Sequence, residues 1–128
     1  MQVLNFGHPL TADVLEAIAD SPHVEERISG IRDIKAQVSN DEGFGPQATA
    51  LVESIGWSGL QWQANPFALV LPGLAPLAAA VLAEVHGRCG YFPSIIRLKP
   101  VQGATPPRFA FAEVVSLSQI REQARTRR

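Results

Sequence analysis

Cysteine is nearly absent from this chain of 128 residues: Cys89 stands alone and cannot close an internal disulfide. One cysteine and three scattered histidines, His8, His23 and His86, supply no zinc-ligand spacing. No GxxxxGK[ST] occurs, and no GxGxxG follows the first apolar stretch, so P-loop nucleotide hydrolysis and dinucleotide cofactors are disfavoured. No GxSxG elbow marks a hydrolase serine. A metal-free, cofactor-free protein is the expectation. No basic stretch followed by an apolar run opens the chain, which, with the lone cysteine, predicts a reducing cytoplasm.

Long apolar runs are also missing. The nearest is Phe67 to Ala83, seventeen residues without a charge. It falls short of the ~20 residues of a membrane span, and Pro72, Gly73 and Pro76 interrupt it. It reads as a buried strand turning into a buried helix, with no membrane partner.

What is present is the composition of one ordinary domain, 46% apolar and 18% charged. A domain of this length buries roughly two-thirds of its unfolded surface. The net charge of −1 hides an asymmetry. Residues 1–53 carry nine acidic and three basic side chains, net −6, and residues 54–128 carry three and eight, net +5. Arg121, Arg125, Arg127 and Arg128 crowd the end, either as helix C-terminal cations or as an anion-binding tail.

Gln2 to Phe6 predicts a strand ended by Gly7, and Thr11 caps a helix with Val14, Leu15 and Ile18 on one face. Between Val24 and Val38 helical spacing and β-branched content compete; a strand over Glu25 to Ile31 is the reading. Pro46 opens a second helix, and Trp57 to Pro66 reads as a connection. Phe67 to Leu71 predicts a central strand, followed by an alanine-rich helix from Pro76 to Gly87 or Gly90, whose alanines predict close packing on the sheet. Ser94 to Lys99 and Arg108 to Leu117 pair as a hairpin, with Arg97 and Lys99 on one face, before a last helix near Ser118. The fold class is α/β: a single Rossmann-like domain over residues 1–128, mostly parallel, with an antiparallel edge hairpin and flanking helices.

Ligands of open α/β sheets bind at the carboxyl ends of the strands. Two loops lie there: Asn5, Phe6, Gly7, His8 and Thr11 in the first, Pro72, Gly73 and Leu74 in the other. Each leads into a helix whose free N–H groups favour an anion, although both glycines also suit simple turns. His8 either donates to a phosphate or moves a proton, unless it is an ordinary surface histidine. Arg97 and Lys99 would neutralise phosphate from a strand face, or merely protect a sheet edge. Trp57, Trp62, Tyr91 and Phe92 either stack on a base or pack in the core.

The same residues carry a family resemblance. Asn5-Phe6-Gly7-His8-Pro9-Leu10-Thr11, the run Leu71 to Ala80, His86 to Pro93, Arg97-Leu98-Lys99-Pro100-Val101 and Thr105-Pro106-Pro107-Arg108-Phe109 resemble a small family of CRISPR-associated ancillary proteins, the Csx group numbered fifteen. The likeness covers the first dozen residues and most of 69–121, and carries over no catalytic residue. It implies a relative of the CRISPR-associated Rossmann-like (CARF) domains of type III systems, which bind cyclic oligoadenylate messengers. The implied partner is cyclic tetra-adenylate, held by a homodimer that becomes a higher oligomer on binding or stays a dimer, with no double-stranded nucleic acid. The expected function is sequestration of the messenger, tuning down antiviral signalling. A metal-independent ring nuclease, attacking through the ribose 2′-hydroxyl with His8 as candidate catalytic group, is the alternative, and a module with no nucleotide ligand is the third. Sequestration leads because the two loops hold no lysine, arginine or acidic side chain to complete a cleavage site.

Overall fold

Four apolar residues in succession, Phe67–Val70, need cover on both faces of a strand. In the computed structural model, which describes the chain apart from residues 23, 25 and 26, this strand (β3) is buried at all four positions. It lies between β1 (Gln2–Asn5) and β4 (Ser94–Pro100). The remaining strands are β2 (Gly30–Asp33) and β5 (Phe109–Ser116), and the sheet order is β2-β1-β3-β4-β5. The first four strands run parallel; β5 returns antiparallel along β4, with a register shift between Arg97 and Leu98. This is a Rossmann-like α/β layout with an antiparallel edge hairpin.

Alternation along the strands sorts the core into two layers. Val3, Ala68, Val70 and Ile96 pack with Val14 and Ile18 of α1 (Ala12–Ala19) on one face. On the other, Leu4, Phe67 and Leu69 pack with α2 (Phe44–Glu53), α3 (Gly59–Ala64) and α4 (Ala75–Cys89). Each fully buried Leu, Ile or Val here contributes roughly 1.5–3 kcal/mol relative to exposure. Pro76 sits in the first turn of α4, and Gly90 ends it at φ 83°, donating its N–H to the His86 carbonyl at 2.8 Å. Arg88 ties α4 to α2: its guanidinium pairs with Glu53 and with Glu84 (2.9 Å), and Glu84 also accepts from the Thr49 hydroxyl at 3.1 Å. The Glu53 carboxylate, helped by Glu84, holds Arg88 above its ordinary value against the opposing effect of burial.

Three expectations need correction. The second strand is Gly30–Asp33 and not Glu25 to Ile31; Glu25, like His23, lies outside the described residues. Pairing with β1 from Gln2↔Gly30 to Asn5↔Asp33 sets its register, and as an edge strand it tolerates the exposed Arg32 and Asp33, which β-branched content does not mark. The connection from Trp57 to Pro66 contains α3, nucleated by a capping box in which the Ser58 hydroxyl accepts from the Gln61 N–H (3.2 Å) and the Gln61 carboxamide from the Ser58 N–H (2.8 Å). Apart from Ala80, which packs against the core, the alanines of α4 are not its sheet face. Leu77, Val81, Val85 and Cys89 are, while Ala79 and Ala83 are exposed.

The aromatic residues divide similarly. Trp62 is 1% exposed and meets Trp57 and Phe67 edge-on at 4.8 and 5.6 Å, and Tyr91 joins Phe67 at 6.1 Å, so this cluster is core packing. Phe92 packs on His86. Among the described residues no helix is long and apolar enough to cross a membrane. Helix α5 (Leu117–Arg125) follows the Ser116 cap and buries nothing, and its Arg121 and Arg125 flank Glu122 at 3.8 and 3.6 Å.

The capping box makes α3 testable. Ser58→Ala should lower stability by about 1 kcal/mol, and Ser58→Gly by only a few tenths, because glycine is tolerated at a cap. Urea midpoints measure both; equal midpoints for Ser58→Ala and the wild type would mean that the box contributes nothing.

Candidate ligand-binding crevice

Asn5 closes β1 with a completely buried carboxamide, the one buried polar side chain of the described core. Its Nδ2 donates to the His8 carbonyl and to Asp33 Oδ1, each at 2.8 Å, and its Oδ1 accepts the Gly7 N–H at 3.0 Å. One side chain thereby folds the first strand-end loop and clips it to the end of β2. Burying an amide without partners costs about 1–3 kcal/mol, which makes these three bonds obligatory.

Strand order reverses at β1: the chain passes from β1 outward to β2, then back across to β3 on the other side. At such a switch point the connections leave in opposite directions and a crevice opens at the carboxyl ends. The crevice here has two parts. The larger, about 670 Å³, is lined by Phe6, Gly7, His8, Pro9, Asp33, Lys35, Gln37, Pro72, Gly73, Leu74 and Leu77, among others. The smaller, about 380 Å³, lies toward β4 and is lined mainly by Leu71, Ile95, Leu98 and Phe109, with Arg97. Gly7, His8 and Gly73 line both.

The two glycines do different jobs. A Cβ on Gly7 would stand 3.3 Å from the Leu71 carbonyl oxygen and from Val70 Cγ1, so this glycine lets the first loop press against the end of β3. A Cβ on Gly73 would meet nothing within 4 Å. Gly73 keeps space open, just before the N-terminus of α4, where Leu74 is 48% exposed.

Of the residues singled out in the sequence, Phe6, Gly7, His8, Pro72, Gly73 and Leu74 line the larger part. Asn5 supports it from beneath. Arg97 lines the smaller part but is held by Glu113 at 2.9 Å, and Lys99, further along β4, lines neither. Thr11 lines neither as well. It stands at the N-cap of α1 without a side-chain cap bond, and its hydroxyl, with the Asp13 N–H, holds the exposed Asp13 carboxylate below its ordinary value. That favours the folded state above the ordinary carboxylate range, and the contribution fades as pH falls through the lowered value.

Sequence reading missed Asp33 and Lys35. With β2 ended at Ile31 they stood beyond any strand end; with β2 at Gly30–Asp33 they follow the same strand-end rule as the other two loops. Lys35 is exposed and faces no carboxylate within salt-bridge distance among the described residues. Asp33 holds the place at the end of a second strand from which an acid accepts ribose hydroxyls in nucleotide-binding sheets. His8 stacks toward Phe109 of β5, ring centroids 6.5 Å apart and planes 18° from parallel. Among the described residues no three His, Cys, Asp or Glu side chains converge to hold a metal ion. The walls can therefore attract an anion through Lys35, His8 and the start of α4, accept a hydroxyl at Asp33, and cover an apolar ring beside Phe109.

Compared with protein-family models, with curated proteins and with solved structures, the chain matches none.

Asn5→Ala should lose about 3 kcal/mol, since it strands three polar groups. Asn5→Asp puts a second carboxyl beside Asp33; the pair resists ionisation, its folded-state pKa lies above the unfolded value, and stability falls as pH rises. The deficit of Asn5→Asp relative to wild type should be smallest near about pH 4 and grow toward neutrality. Thermal melts across that range measure it, and a pH-independent deficit would contradict the carboxamide geometry.

Proposed function

We propose that the protein binds a cyclic oligoadenylate, cyclic tetra-adenylate foremost, as a homodimer and sequesters it without rapid cleavage, lowering the free messenger of a type III CRISPR response in the cytoplasm. The observation that carries this reading is the pairing of two cavities through one loop. A charged wall with Lys35 and Asp33 lies on one side of Gly7 and His8, and an apolar wall with Leu98 and Phe109 lies on the other. Nucleotides alternate phosphate and base on that scale, and a ribose hydroxyl finds its acceptor in Asp33. The resemblance in the loops that line this crevice names the messenger. A ring with rotational symmetry suits two copies of one site, and Leu74, 48% exposed at the rim, supplies apolar surface for a symmetric contact.

Cleavage by the ribose 2′-hydroxyl needs a base for that hydroxyl, charge stabilisation at phosphorus and an acid for the 5′-oxygen. His8 lies where the two cavities meet and can fill one of these roles. Lys35 and Asp33 line the same cavity as His8, with Asp33 Oδ1 accepting from the Asn5 amide, while Arg97 in the smaller cavity is occupied by Glu113. Holding is the first reading because the resemblance carries over no catalytic residue, with slow turnover by His8, beside Lys35 and Asp33, as the second.

Equilibrium dialysis with labelled cyclic tetra-adenylate tests the proposal. Lys35→Gln should weaken binding about tenfold and flatten its salt dependence. Gly73→Leu should abolish binding without lowering the melting temperature, because its side chain enters open space. Light scattering should give two protomers per ring. No binding by the wild type, or full binding by Gly73→Leu, would contradict the assignment; linear product within minutes in single turnover, lost in His8→Ala, would establish the nuclease instead.

A further inference from the structure

Arg32 stands where the pattern of the sheet calls for an apolar residue. Its pairing with Leu4 puts it on the face covered by α2 and α4, in line with the buried Ile34, while Asp33 falls on the opposite face beside the Asn5 carboxamide. The guanidinium fits there because a groove of about 530 Å³ opens between the edge of β2 and α2, and Arg32 and Lys35 line it with Gln37, Gln47, Leu51 and Ser54. Neither cation has a carboxylate within salt-bridge distance among the described residues. Asp33, the one acid of the lining, has Oδ1 engaged by the Asn5 amide, and Glu53, the one acid of α2, is paired with Arg88.

We propose that this groove is an oxyanion site, separate from the strand-end crevice, that takes a phosphate between Arg32 and Lys35. Its walls are anchored without a ligand. At one end of the segment after β2 the Ile34 N–H donates to the Asn5 carbonyl at 2.8 Å; at the other the Gln47 carboxamide accepts from the Ser39 N–H (2.8 Å) and donates to the Ser39 carbonyl (2.9 Å). Lys35 and Gln37 lie between these anchors. Two cations facing one cavity without a counter-charge repel each other, and an anion between them turns both interactions favourable. A planar guanidinium grips two phosphate oxygens at once, the ammonium adds a point charge, and the Gln37 amide is a neutral donor. The phosphate belongs either to the ligand of the crevice, reaching across the segment from Asp33 to Gln37 that walls both cavities, or to a separate phosphorylated molecule. The site rests on the charge of the groove and not on the messenger reading.

Pyrophosphate is the probe. In a nitrogen-15 NMR titration of the full chain at low salt it should shift the Arg32 Nε–H and the backbone amides of Lys35 and Gln37 together, and saturably. Arg32 is exposed, so Arg32→Gln should melt like the wild type, yet it should weaken pyrophosphate binding about tenfold. Lys35→Gln should weaken it similarly, and Arg121→Gln on α5 should leave it unchanged. Undiminished binding by Arg32→Gln and Lys35→Gln, shifts gathered on Arg121, Arg125 and Arg128, or no saturable shift at all would overturn the site. Repeating the titration with cyclic tetra-adenylate present separates the two sources: displacement of pyrophosphate by the ring assigns the phosphate to the ligand of the crevice, and a titration that the bound ring leaves unchanged assigns it to a separate molecule. A chain that binds pyrophosphate at Arg32 but no ring keeps this site and loses the messenger reading.

Discussion

The site depends on one buried carboxamide. Asn5 stands at the end of the strand where the sheet order reverses, 0% exposed, and its hydrogen bonds reach the Gly7 N–H, the His8 carbonyl and the Asp33 carboxylate. A buried amide must satisfy both its oxygen and its nitrogen, and here the only way to do so brings the loop after β1 and the end of β2 into one geometry. Everything else in the crevice follows. Gly7 is pinned against β3, His8 is presented between two cavities, and Lys35, two residues past Asp33, is delivered to the rim. Rigidity of this kind is what a binding site needs, since ordering a loop on binding would subtract from affinity.

The two core layers leave the carboxyl ends of the strands free for this purpose. The layer built on α2, α3 and α4 contains most of the large side chains, and the Arg88 cluster locks α2 to α4 on its surface. The opposite layer is thinner, with the eight-residue α1 as its helical cover over β1 and its neighbours. Consequently the β4–β5 hairpin projects with its outer end uncovered, and Phe109 is available to a ligand. Net charge has little to do with the outcome. The cation of the larger cavity comes from the acidic half of the chain, because a crevice responds to the charges at its rim and not to the sum over the domain.

Much of the frame is legible in the sequence because it is written in short-range terms. The charge-free run at Phe67 marks the central strand, and Pro76 and Gly90 bound α4, since each acts through its own backbone. The serine and glutamine three apart at Ser58 and Gln61 were a local signal too, one that a connection reading overlooked. β2 is different. Its bounds are set by hydrogen bonds to Gln2 through Asn5, far away in sequence, so β-branched content alone misplaces it and hides Asp33 and Lys35 with it. The loops around Gly7 and Gly73 could be nominated from strand-end logic, yet the division of labour between them depends on whether a neighbouring strand fills the missing Cβ space. Lys99 shares a strand face with Arg97 in the period-two pattern, but the crevice ends before reaching it. The meeting of His8 with Phe109 spans the whole chain and leaves no trace in either local stretch.

The central claim is that one crevice, organised by Asn5, takes a phosphate on its Lys35 wall and a base on its Phe109 wall. The most direct measurement is a nitrogen-15 NMR titration of the full chain with cyclic tetra-adenylate, following backbone amides and the Asn5 side-chain amide together. The account predicts that the large shifts gather at Gly7, His8, Lys35, Gly73 and Phe109, while the Asn5 amide signals stay dispersed and its bonds intact. Shifts gathered instead on the arginines of α5, or no shifts at saturating ring, would contradict it.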